Sequence, residues 1–156
     1  MGPQETPLKK LLTKLGLSKV GKRETELRVE QRDGLNVYRT NLGEATVGGV
    51  PTYELAETAK HDLEALKECC KAELKAFQRG GCVLAPAPYY FDRVTVVATK
   101  QKDWETVLEW GEAYLEALEA YKNTNTNPNK AQVWNSPRVE SLQKRLAKAR
   151  KQLGVE

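Results

Sequence analysis

Two runs of apolar residues at helical spacing, hinged at "KQKDW", constrain this chain's fold more than any other feature. The stretch "YYFDRVTVVATKQKDWETVLEWGEAYLEAL", from Tyr89 to Leu118, holds most of the chain's aromatic residues. Before the hinge, Val94, Val97 and Ala98 are placed to face inward. After it, Asp103 can cap a helix carrying Trp104, Val107, Leu108, Trp110, Gly111, Tyr114, Leu115, Leu118 and Tyr121. The β-branched run "VTVVAT" disfavours a helix by a few tenths of a kcal/mol per residue. A strand over Val94–Thr99 therefore stays open, although its surroundings favour helix.

The same period recurs on both sides. Leu55, Ala59, Leu63, Leu66, Cys70, Leu74 and Phe77 step by three and four, which predicts one helix over about 52–79. Thr52 is its expected cap, and Gly80 and Gly81 its stop. Further helices are predicted over about 89–101, 103–122 and 137–153, the last opened by Ser136 and Pro137 and closed by Gly154. Near the amino end, "PLKKLLTKLGLSK" reads as a short basic amphipathic helix, capped by Thr6 with Pro7 at its first position and ended by Gly16. The expected core includes Leu55, Leu63, Leu66, Leu74, Phe77, Val94, Val97, Trp104, Leu108, Trp110, Leu115, Leu142 and Leu146.

Only one segment changes period. In "ETELRVEQRDGLNVYRTNL" apolar and polar residues alternate around Asp33-Gly34, which predicts a β-hairpin over 24–42. The expected fold class is thus mainly α, a helical bundle with a small N-terminal β-hairpin. Residues 1–23 form a basic arm and 24–156 a single α-rich domain, which suits a length of 156 residues.

Chemistry is sparsely provided. The one histidine, His61, lies about two helical turns from Cys69 on the predicted helix, too far for a direct hydrogen bond. Adjacent Cys69 and Cys70 with a distant Cys82 lack the spacing of a zinc knuckle. No phosphate-binding glycine pattern occurs. The expectation is a protein with no catalytic residues, no metal and no cofactor. Three cysteines and no apolar leader fit reduced thiols in the cytoplasm, and no apolar run is long enough to span a bilayer.

Charge is unevenly spread over a net +4. Asp103, Glu105, Glu109, Glu112, Glu116 and Glu119 make one helix acidic. Arg138, Lys144, Arg145, Lys148 and Lys151 make the last one basic. Complementary helices of this kind can dock within the chain or pair 103–122 with 137–153 across a homodimer. The basic residues, with the lysines of the amino arm, alternatively suit a nucleic-acid-binding accessory protein with a salt-dependent phosphate affinity.

The hinge region resembles one tetratricopeptide-repeat hairpin, whose unit is two antiparallel helices in about 34 residues. Phe91 matches the family's early aromatic, Val94 its leucine position, "KQKDW" (Lys100 to Trp104) its bend, and Leu115 its late apolar position. The chain departs from the pattern at four positions. Lys102 replaces the bend glycine, Thr95 a second glycine, Val107 an alanine, and Glu119 the closing proline. The resemblance covers 89–118. It implies a non-catalytic protein–protein interaction module, an adaptor or inhibitor, with Asp92, Val96, Thr99 and Lys100 lining the groove. A single hairpin cannot bury its own face, so the neighbouring helices are expected to cover it.

Overall fold

A computed structural model of the chain describes residues 5–17, 27–32, 35–40, 45–82, 85–124 and 132–155. In order, its elements are α1 (Pro7–Lys14), β1 (Leu27–Arg32), β2 (Leu35–Thr40), β3 (Thr46–Val47), β4 (Val50–Pro51), α2 (Thr52–Ala59), α3 (Leu63–Arg79), α4 (Pro88–Lys100), α5 (Trp104–Lys122) and α6 (Pro137–Leu153), with a 3₁₀ turn at Val133–Asn135. The fold is mainly α, as the apolar periodicity predicts. β1 and β2 pair antiparallel with Arg32 opposite Leu35. The Asp33-Gly34 turn, residues 24–26 and 41–42 of the predicted hairpin, and residues 1–4 and 18–23 of the basic arm lie outside the described residues. β3 and β4 form a second, minimal ladder with Val47 opposite Val50.

Packing decides the ambiguous run in favour of helix. Val94, Thr95, Val97 and Ala98 are all buried in α4, and burying each large apolar side chain is worth roughly 1.5–3 kcal/mol, more than the propensity deficit. The Thr95 hydroxyl bonds back to the Asp92 carbonyl at 2.7 Å, so its polar group is satisfied inside the helix. Across the hinge, Phe91 stacks on Tyr114 with ring centres 4.7 Å apart.

The hinge itself is a Schellman turn. The Lys102 amide donates to Thr99 O at 3.0 Å and the Asp103 amide to Ala98 O at 2.8 Å. Lys102 there has φ +56°, a conformation that costs an L-residue roughly 1–2 kcal/mol. Lys102 thus occupies a left-handed position at which glycine would be unstrained. Asp103 then caps α5, accepting from the Thr106 amide at 3.2 Å.

The single helix expected over 52–79 is two. Asp62 is extended (φ −104°, ψ 104°) and its carboxylate accepts from the Ala65 amide, opening α3 afresh. Thr52 is not a cap either. It is the first residue of α2, is buried, and donates its hydroxyl to Glu73 Oε1 at 2.7 Å. That bond draws the start of α2 onto α3, so the two helices fold back on each other.

α4 is central, packed against α3, α5 and α6, and α5 also touches α1 and α6. Leu66, Leu74, Phe77, Val94, Val97, Trp110, Leu142 and Leu146 are buried as expected, joined by Leu11, Tyr90, Phe91, Val107, Tyr114 and Val139. Leu55, Leu63, Trp104, Leu108 and Leu115 are only half-buried at its margin. α5 and α6 approach most closely at Gly111, where a Cβ would stand 2.7 Å from Leu146 Cδ2.

Candidate docking face

Helix α4 buries most of its circumference and leaves one stripe accessible. Tyr89, Arg93 and Val96 are half-buried and Lys100 is exposed. At spacings of four, three and four they share a face. Their polar groups are held in place. The Tyr89 hydroxyl donates to Ala56 O of α2 at 3.2 Å, and the Arg138 guanidinium lies 4.7 Å above the Tyr89 ring. Arg93 donates to Lys60 O through Nη2 at 2.6 Å and Nε at 3.1 Å, and Nη2 is 3.3 Å from His61 Nδ1. Lys60 follows the last turn of α2, where a cation meets the negative end of the helix dipole. The stripe is therefore framed by the α2–α3 bend on one side and by α6 on the other.

Of the four positions implied by the repeat resemblance, Val96 and Lys100 lie on this stripe. Thr99 is half-buried and its hydroxyl oxygen is out of contact with solvent. Asp92 is not on an open face. It is buried beneath α6, where Arg145 Nη1 donates to its Oδ1 and Arg138 Nη1 approaches its Oδ2 at 3.4 Å. Arg145 Nη1 also reaches the Thr95 hydroxyl at 3.4 Å. The resemblance, read on one hairpin, omits the helix that covers this position. Tyr89 and Arg93 escape a reading confined to the repeat pattern, although both fall in helical register with Val96.

The five basic positions of α6 meet different fates. Arg138 and Arg145 close over Asp92, and Lys144 pairs with Glu140 at 3.4 Å. The Lys148 ammonium lies 5.5 Å over the Trp104 ring. Lys151 is exposed in the last turn, where a cation suits the dipole. The acidic face of α5 is engaged as well. Glu112 meets Arg150 at 3.5 Å, Glu109 meets Lys14 at 3.0 Å, and Glu116 accepts from the Thr6 hydroxyl at 2.7 Å and the Leu8 amide at 3.2 Å. The acidic and basic helices meet inside one chain.

His61 sits on the exposed α2–α3 bend beside Arg93. Cys69 and Cys70 are buried in α3, and burial pushes both thiols up, that of Cys70 strongly. A thiol held protonated is a poor nucleophile. Among the described residues, no group of three or more His, Cys, Asp or Glu side chains gathers as a metal site, and no helix is long and apolar enough to cross a membrane. No family model, curated protein or solved structure matches the chain.

Proposed function

We propose that the protein is a non-catalytic binding module, an adaptor or inhibitor, that docks another protein on the outer stripe of α4. The observation carrying this reading is the preformed stripe of Tyr89, Arg93, Val96 and Lys100. Two of its polar heads are anchored before any partner arrives, to the carbonyls of Ala56 in α2 and of Lys60 just after it, which reduces the ordering cost of association. The tetratricopeptide resemblance supports the reading at two positions, Val96 and Lys100, which it implies for the groove and which lie on this stripe. Buried Cys69 and Cys70 thiols agree with a cytoplasmic setting. Neither a homodimer through α5 and α6 nor nucleic-acid binding by α6 is part of the proposal: Glu109, Glu112 and Glu116 of α5 are engaged within the chain, and the basic edge beside α4 is no longer than that helix.

The test places a photo-crosslinking phenylalanine analogue at Val96 and, separately, at exposed Lys75 of α3. The expected result is a discrete adduct from Val96 alone, displaced by excess unlabelled protein and lost when Lys100 is changed to glutamate. Equal adducts from both positions, or none from Val96, would reject the reading.

A further inference from the structure

The stripe on α4 and the adjoining edge of α6 form a strongly one-signed surface. Arg93 and Lys100 come from α4. Arg138, Arg145 and Lys148 come from α6, tied along the seam by Asp92, the Tyr89 ring and the Trp104 ring. Five cations thus flank the outer face of α4: Arg138 and Arg145 hold the buried carboxylate of Asp92, Arg93 holds Lys60 O on the side of the α2–α3 bend, and Lys100 and Lys148 are exposed. Three acids on the flanking elements are committed elsewhere. Asp103 caps α5, Glu140 pairs with Lys144, and Asp62 caps α3. Within the seam, Val96 offers an apolar patch and Tyr89 and Trp104 offer aromatic flanks.

We propose that this seam takes an acidic peptide segment of a partner protein, with carboxylates on the five cations and an apolar residue against Val96. The inference rests on the docking face described above and adds the partner's chemistry. Length argues for a peptide. The 13 residues of α4 run about 20 Å, which an extended peptide of about six residues also spans. A polynucleotide would continue beyond that length. At the hinge end it would meet Asp103 and exposed Glu105, and across α2 it would meet exposed Glu54 and Glu57, where like charge repels phosphate. Complementary charge along a short groove instead gives a peptide its orientation and its association rate.

Fluorescence anisotropy tests the proposal on the full chain. The probes are a labelled hexapeptide of glutamates around a central leucine, the same peptide with glutamines, and a deoxythymidine hexamer. The glutamate peptide should bind about tenfold more tightly than the glutamine peptide, with an affinity that falls as salt rises. The pair Lys100→Glu and Lys148→Glu changes two exposed side chains. It should weaken the glutamate peptide by about tenfold or more, whereas Lys75→Glu should leave it unchanged. Thermal melts check that both variants remain folded. Tighter binding of the oligonucleotide, or equal loss with Lys75→Glu, would overturn the acidic-peptide assignment. Equal affinity for both peptides, abolished by Val96→Asp, would keep the docking face and overturn its preference for acid. No binding of either peptide would overturn the assignment, leaving the crosslinking result to decide the docking face.

Discussion

Asp92 of α4 and Arg145 of α6 form an ion pair in which the carboxylate side chain is only 8% exposed and the arginine 26%. Arg138 completes the arrangement from the same helix, at 48% exposure. One buried acid thus fixes the register between the central helix and the last one.

Removing that acid should be costly. Asp92→Ala leaves Arg145 partly buried without its partner, and breaking a buried pair destabilises by about 3–5 kcal/mol. The partial exposure of both arginines puts the expectation at the low end, about 3 kcal/mol in urea unfolding. Arg138→Ala, an exposed position, should lower stability by less than about 1 kcal/mol.

Gly111 sets the spacing of α5 and α6. Gly111→Ala gains roughly 1 kcal/mol of helix propensity but drives a methyl into Leu146, which is fully buried. Overpacking costs about 1–3 kcal/mol, so a net loss of about 1 kcal/mol is expected. A double-mutant cycle with Leu146→Ala should show a loss smaller than the sum of the two single losses, because the smaller residue at 146 removes the clash.

Lys102 invites the opposite outcome. Lys102→Gly relieves the left-handed strain at the hinge and leaves both capping amides in place. Against the added entropy of an unfolded glycine, the net gain should be about 0.5 kcal/mol or more, read as a raised Tm. Lys102→Val, β-branched at positive φ, should lower it.

Glu73 makes stability depend on pH. Burial pushes its carboxyl up, opposed by hydrogen bonds from the Thr52 hydroxyl and the Ala87 amide. A carboxyl raised in the folded state binds its proton more tightly there than in the unfolded chain. Its contribution is fully present below the ordinary glutamate value of 4.5 and is lost as pH rises through the folded value. Glu73→Gln cannot ionise, and it can still accept from Ala87 and donate to Thr52. Tm measured from acid to neutral pH should fall less steeply in this variant than in the parent.

Much of this architecture was legible in the residues because apolar spacing, caps and stops agreed. Thr6 before α1, Asp103 before α5, Ser136 before α6 and Gly154 after it all occupy their expected places. The break at His61-Asp62 was not read, since apolar periodicity continues unbroken from Ala59 to Leu63 and masks the Asp62 cap. Its other support is Arg93, whose bonds to Lys60 arise only when α4 packs alongside. The candidate docking face divides in the same way. The repeat resemblance implies Val96 and Lys100, which stay accessible, and also Asp92, whose burial depends on α6, more than 40 residues later. Local pattern carries helices, and long-range pairing decides which of their faces stay open.

Glu116 accepts from Thr6 and Leu8 across separations of 110 and 108 residues. The amino terminus of α1 is thus closed by a carboxylate that is synthesised long after it. Forming that contact requires most of the chain to be looped out, a cost that only a finished α5 surface can offset. α1 should consequently be the last helix to seat during folding and the first to lose amide-exchange protection when the domain breathes.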